Sequence, residues 1–235
     1  DSGNNVIRKV AVDTGIITTE VGTGGVGFSG DKGPPFRATL SKPRAIDFDA
    51  QGNLYIADRD NNRVRRVNAP STLIDTWAGN GQTGTAGDNS KASEAHLEPP
   101  EALCVDKGTG SIYVTGPTSL TGGAKTVRMV SKAGVMSTFA GSQKGIKAHE
   151  ADNSVATDIQ FSATDDLFVA ADFEGSVYIG DQISKRLYKV DCATKMVDIF
   201  NFQIGGRSAE LRPQGLTYSP FSRSLFINDG GSVTG

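Results

Sequence analysis

The chain has 235 residues, 37% of them hydrophobic and 21% charged, with 24 basic residues against 26 acidic. That length suits one large domain or two small ones, and the spread of charge among ample apolar residues excludes wholesale disorder. The 29 glycines exceed the usual share but follow no three-residue period, which excludes collagen, and no apolar run approaches the length of a membrane helix.

Short segments rich in Val, Ile, Tyr, Phe and Thr, bounded by Gly, Asp, Asn or Pro, read as strands along the whole chain. The first two are 7–10 and 17–21. Four follow at 45–49, 52–58, 64–67 and 74–78, and four more at 102–106, 110–116, 127–130 and 136–140. A further four lie at 166–172, 175–181, 187–190 and 197–200, and the last two at 215–218 and 223–229. This is a repeat of roughly 57–60 residues. Tyr55, Tyr113, Tyr178 and Phe226 fall at its matching points. Asp49-Ala50-Gln51-Gly52 and Asp106-Lys107-Gly108-Thr109-Gly110 read as tight turns between the first and second strands of their repeats. No stretch carries a sustained 3.6-residue apolar stripe.

Four short antiparallel strands that cannot cover both of their own faces, repeated along a chain, describe the blade of a β-propeller. The fold class is therefore all-β, with inner strands apolar on both faces and outer strands alternating, as in Ile17-Thr18-Thr19-Glu20-Val21. The repeats occupy residues 1–21, 43–78, 100–140, 163–201 and 211–229 within a single domain, or part of one, spanning 1–235. They amount to sixteen strands, four repeats in all: three whole blades and two half blades. The chain begins and ends in the same phase, Asp1 matching Asp229. Either the last strands complete the first blade in a four-bladed ring, or the chain is an arc of a larger ring, and the arc is the expectation. Its exposed blade edges then require cover from missing chain or from a partner.

The run from Pro43-Arg44-Ala45 through Gly52-Asn53-Leu54-Tyr55-Ile56-Ala57-Asp58 to Arg65-Arg66-Val67 resembles an NHL repeat. The connector from Gly22-Thr23-Gly24 through Gly30-Asp31-Lys32-Gly33-Pro34-Pro35 to Ala38-Thr39-Leu40 resembles that family's Gly-Asp inter-blade loop. Residues 79–97 repeat it with decay. The likeness is weakest over 142–172, where Gly145-Ile146-Lys147 stands in place of Gly-Asp. The resemblance implies a six-bladed parent ring and a non-catalytic role as a protein-interaction or structural scaffold module. It also implies protein partners reached through loops or exposed blade edges, and a secreted or organellar-lumen address. Two alternatives accompany it: a propeller lyase or hydrolase whose channel metal site is completed by residues outside this segment, and an RNA-binding NHL domain.

Few residues invite chemistry. Gly22 to Gly27 and Gly79 to Gly84 both satisfy Gly-x-Gly-x-x-Gly, but the first runs into Ser29-Gly30-Asp31-Lys32-Gly33-Pro34-Pro35, which cannot open a phosphate-binding helix. Both read as blade connectors. Asp58, Asp60 and Asn62 alternate like the start of a calcium loop, which makes them the candidate metal ligands and calcium the one candidate cofactor. The glycine such a loop needs next is Arg63, and its closing acid is Ala69, so a self-bonded hairpin turn is the stronger reading. Arg8, Lys9, Arg65, Arg66 and Arg128 recur at like positions and form the candidate interaction surface. Residues 147–181 hold eight acids against Lys147 alone, which argues against a nucleic-acid partner. His96 and His149 lie in connectors, too few to build a metal site by themselves, and no catalytic or cofactor-binding residue is assigned. Cys104, in an apolar run, reads as a buried, inert thiol.

Overall fold

A computed structural model of the chain describes residues 1–117, 125–142, 146–147, 152–161, 167–200, 203–204, 207–208 and 212–230. His149 and residues 163–166, with which the fourth repeat was expected to open, lie outside the described residues. The strands fall into the expected groups. A hairpin of β1 (Ile7–Val10) and β2 (Ile17–Val21) comes first. Blade I follows, with β3 (Pro43–Phe48), β4 (Leu54–Asp58), β5 (Arg63–Asn68) and β6 (Leu73–Ala78) in simple antiparallel order. Blade II repeats it with β7 (Ala102–Val105), β8 (Ile112–Thr115), β9 (Val127–Val130) and β10 (Met136–Ala140). Two-residue strands β11 (Ile146–Lys147) and β12 (Ile159–Gln160) pair in parallel within the next connector. Blade III consists of β13 (Leu167–Ala171), β14 (Ser176–Asp181), β15 (Arg186–Asp191) and β16 (Val197–Phe200). A small hairpin, β17 (Gln203–Ile204) with β18 (Arg207–Ser208), leads to the closing pair β19 (Pro213–Ser219) and β20 (Ser224–Asp229).

Register carries the repeat into three dimensions. Tyr55 faces Asp47, Tyr113 faces Cys104, Tyr178 faces Ala170 and Phe226 faces Thr217, so the four aromatics hold one site in successive sheets. In the whole blades each also meets an aromatic of the fourth strand: Trp77 at 6.0 Å, Phe139 at 4.6 Å and Phe200 at 6.2 Å between ring centroids. Asp49 closes the first turn of blade I by accepting the amides of Gln51 and Asn53 at 3.0 and 2.8 Å and the Tyr55 hydroxyl at 3.1 Å. Asp106 and Asp172 accept turn amides in the same way in blades II and III, and Asp172 also accepts the Tyr178 hydroxyl.

Period-2 alternation sends successive side chains of one strand to opposite neighbours. Leu54 and Ile56 pack toward the β1–β2 pair with Ile7, Val21 and Leu40, whereas Tyr55 and Ala57 pack toward blade II with Leu103, Val105 and Val114. Cys104, Tyr113 and Phe139 turn from blade II to blade III, meeting Val169, Val177 and Tyr188. The core is thus a set of inter-sheet layers, and a strand covered on both faces reads as an unbroken apolar run. Among the described residues β1 pairs only with β2, and β20 only with β19. Among the described residues the four-bladed ring that strand counting allowed is not closed, which agrees with a partial arc.

Candidate functional site

The connectors do more than link blades. Each leaves the fourth strand of one blade and crosses the outer edge of the fourth strand of the next before entering that blade as its first strand. In the first connector the Lys32 amide donates to the Ile74 carbonyl at 2.7 Å, and the Ile74 amide donates to the Gly33 carbonyl at 3.0 Å. Asn89 and Ser90 hold Met136 in the same way, and Asn153 and Ser154 hold Val197. Lys32, Asn89 and Asn153 all adopt the left-handed conformation, with φ of 63°, 61° and 57°. These straps explain the glycines at their start. Gly22, Gly79 and Gly141 have φ of 100°, 84° and 101°, and a Cβ on any of them would overlap the carbonyl oxygen of Asn5, Asn62 or Lys125. The first two open the Gly-x-Gly-x-x-Gly matches, whose glycines therefore serve chain geometry. The third connector, the weakest by sequence, keeps the strap through Asp152-Asn153-Ser154.

Each strap is pinned by an aspartate. Asp31 accepts from Arg65 Nη2 at 2.6 Å and from the Thr76 hydroxyl at 2.7 Å. Asp88 accepts from Arg128 Nη2 at 2.6 Å and from the Thr138 amide at 3.0 Å. Arg65 further donates to the Ser29 and Thr39 carbonyls, and its guanidinium lies 4.8 Å from the Phe28 ring centroid. Two of the five basic residues expected on an interaction surface are therefore internal, because an inter-blade strap lies over the repeat position they share. Desolvation by that burial lowers the pKa of Arg128 despite the nearby Asp88. Arg66 stands half-buried on the blade, bonded to both carboxylate oxygens of Asp75 and stacked 4.1 Å over Trp77. Arg8 and Lys9 are exposed and pair with Asp1 and Glu20.

The Asp58–Asn62 segment is a turn with a short 3-10 helix, Arg59–Asn61. Asp58 is fully buried. It accepts from the Ser41 amide at 2.7 Å and the Asn61 side chain at 2.8 Å, with Arg65 at 3.5 Å, and desolvation raises its pKa. Asp60 instead turns outward to Lys42 at 3.0 Å and Arg59 at 2.6 Å. The Asn62 amide is held by the Gly81 carbonyl and Thr83. The three oxygen-bearing side chains thus serve three different neighbours. Arg59 reaches on to Glu101 of blade II, which also holds Arg44 at 3.1 Å. Lys42, Asp60, Arg59, Glu101 and Arg44 form one ionic chain across the junction of blades I and II. Beside it runs a groove of about 470 Å³ lined in part by Val26, Ser41, Lys42, Arg44 and Asp60. Val26, Phe28 and Phe36 of the first connector are large, apolar and exposed, and Arg63 stacks 3.8 Å over Phe28.

The inner strands line a smaller cleft of about 190 Å³, with Asp47, Cys104, Lys107, Ala170 and Thr217 from four successive sheets among its walls. Asp47 crosses to blade II, accepting the Val105 amide at 2.8 Å. Cys104 is free and buried, and burial pushes its thiol pKa well up; Cys192, also free, lies 3.3 Å from the Tyr113 hydroxyl. The His96 backbone carbonyl accepts from Arg128, again inside a strap. No three His, Cys, Asp or Glu side chains come together as a metal-ligand group among the described residues. Among the described residues no helix is long and apolar enough to cross a membrane.

No curated protein matches the chain significantly in sequence. The family model for the NHL repeat matches residues 40–67. Solved structures share the fold at low identity. A nidogen/laminin complex aligns at 14% identity and TM-score 0.55 over 95% of this chain and 64% of its own. Virginiamycin B lyase from Staphylococcus aureus gives 12% and 0.53 over 97% and 57%, and a gluconolactonase-type protein gives 13% and 0.58 over 98% and 66%. The chain thus spans less than two thirds of the length of these propellers. Residues 40–67 are an NHL repeat, and the chain that carries them folds as β-propeller blades.

Proposed function

We propose that the chain is a protein-interaction module that presents the loop face of blade I to a polypeptide partner, without catalysis of its own. The observation that carries this reading is the exposure of Val26 and Phe28 on one connector, Val26 in a groove with Lys42 and Arg44 and Phe28 under the Arg63 guanidinium. Aromatic and arginine side chains on a rigid scaffold are the residues that dominate protein–protein binding energy. Two features hold this surface stiff. The strap hydrogen bonds fix the connector to β6, and the ionic chain from Lys42 to Arg44 ties the turn of blade I to blade II. The loop-face groove, with its mixed apolar and cationic lining, suits an extended segment carrying carboxylates. The nidogen/laminin neighbour supports the reading by analogy of fold alone.

The test uses the whole chain as bait, identifies the retained protein, and measures its purified binding by calorimetry. A Val26→Asp, Arg44→Ala double variant with native circular dichroism should bind at least about tenfold more weakly. Equal affinity of variant and parent would place the interaction elsewhere and end the proposal. The competing reading, chemistry in the inner-strand cleft, predicts turnover of a lactone or ester that Asp47→Asn and Thr217→Val abolish.

A further inference from the structure

The three straps share their backbone bonds and differ in what holds them from below. The amide after each strap aspartate donates to a fourth-strand carbonyl, and the amides of Ile74, Met136 and Val197 donate back at 3.0, 2.9 and 3.0 Å. These three residues are equally buried. Beneath them the third strand places Arg65, Arg128 and Tyr188 at one repeat position, opposite Ile56, Val114 and Ile179. Arg65 holds Asp31 and the connector carbonyls of Ser29 and Thr39 on one side and reaches Asp58 on the other. Arg128 holds Asp88 and the His96 carbonyl. Tyr188 is as deeply buried as Arg65, but its hydroxyl meets Ser184 of its own blade at 2.9 Å. Asp152 of the third strap is left to the Ile199 amide at 3.0 Å and the side chain of its neighbour Asn153. Asp181, which matches Asp58, takes the Ile183 and Ser184 amides on Oδ1, and its buried Oδ2 has no partner. Among the described residues no cation joins the third strap to the blade under it.

We infer that the third strap is a latch: residues 152–159 lift from β16 while blade III stays folded, whereas the first two straps open only together with their blades. The backbone bonds cost the same to break in all three, so the side chain below decides. Lifting the first or second strap pulls a carboxylate from a buried guanidinium, which breaks charge-assisted bonds and leaves the cation without its partner. Lifting the third leaves behind a neutral phenol whose hydroxyl bond to Ser184 is untouched. The open state bares the outer edge of β16 at Val197, an edge that the strap otherwise pairs. This device is separate from the loop face of blade I and does not depend on a partner there.

Residue-resolved amide exchange of the whole chain is the test, because Ile74, Met136 and Val197 have like bonds and like burial. Val197 should exchange at least about tenfold faster than the other two, at a rate that low urea leaves unchanged, while the bonded amides of β14 and β15 stay protected. Two mild variants separate the latch from general looseness of blade III. Asp88→Asn keeps an acceptor for the Thr138 amide but removes the charge facing Arg128, and should speed Met136 exchange at least about tenfold. Asp152→Asn, which keeps an acceptor for Ile199 and faces no cation, should leave Val197 within about threefold of the parent. Equal exchange at the three amides would overturn the inference. So would exchange of Val197 only in step with the whole of blade III, or an Asp152→Asn effect as large as that of Asp88→Asn.

Discussion

Blade I and the opening half-blade are built from nearly the same residues and reach different physical states. Ile7-Arg8-Lys9-Val10 in β1 matches Val64-Arg65-Arg66-Val67 in β5, and Ile17 and Thr19 in β2 match Ile74 and Thr76 in β6. In blade I Arg65 and Ile74 are buried, and the arginine is locked between Asp31 and Asp58. In the half-blade Arg8 and Ile17 face solvent, and Arg8 keeps Asp1 at 3.4 Å and the Thr19 hydroxyl. The strands are alike, so the connector makes the difference. A repeat position in this architecture is buried by chain that arrives from the preceding unit, and its environment cannot be assigned from its own blade alone.

The largest expected effect breaks that comparison at the arginine. Arg65→Ala should destabilise the chain by about 3–5 kcal/mol, because it leaves the buried Asp58 carboxylate without its cation and empties a space under the strap. Arg8→Ala, the same change at the uncovered position, should cost under about 1 kcal/mol, as exposed ion pairs do. Urea unfolding of the two variants measures the gap directly. Costs of similar size would mean that the straps do not determine the environment of this position.

A second comparison separates close approach from backbone conformation. Gly79→Ala places a Cβ against the Asn62 carbonyl oxygen at φ of 84°, whereas Gly175→Ala has a φ of 102° with no atom within 4 Å. Left-handed strain alone costs the second variant about 1 kcal/mol. The first should lose about 2–3 kcal/mol and should also speed amide exchange at Asn80, whose N–H bonds the Ala95 carbonyl inside the connector. Equal losses would show that the strap root has room to shift.

The strand layout was legible because strand chemistry is local: β-branched runs, Asp-initiated turns and a fixed period survive in any one repeat. The three whole blades and two half blades stand where the periodicity puts them. What could not be read were contacts made across the arc. Lys32 and Ile74 lie forty-two residues apart in chain order, and nothing local joins them. Arg65 and Arg128 were expected outside because unpaired guanidinium is costly to bury, and their partners Asp31 and Asp88 sit in segments that look like loops. The third strap lacks the Gly-Asp pair, and the signal all three keep is an aspartate four residues before the 3-10 turn: Asp31 before Pro35, Asp88 before Ala92, Asp152 before Ala156. Of the candidate cation ligands, Asp58, Asp60 and Asn62 have the right spacing, but the turn sends them in three directions.

The smallest expected effect concerns two aspartates of blade I whose pKa values move in opposite senses. Burial works to raise that of Asp49, but hydrogen bonds from Asn53, Tyr55 and Gln51 outweigh it and hold the carboxyl below its ordinary value. A depressed folded pKa means stability that is present above the unfolded value and lost as pH falls through the folded one. For Asp58 desolvation wins over Ser41, Asn61 and Arg65, so its contribution is present below the unfolded value and lost as pH rises through the raised one. Asp49→Asn should therefore flatten the acid limb of the stability profile by under about 1 kcal/mol between about pH 5 and pH 2. Asp58→Asn should instead steepen the net acid loss by removing the opposing slope. Thermal midpoints across that range decide it. Parallel profiles for the two variants would mean that turn bonding and strap burial impose the same electrostatics, against the contrast drawn between the exposed turn of a blade and the core beneath its strap.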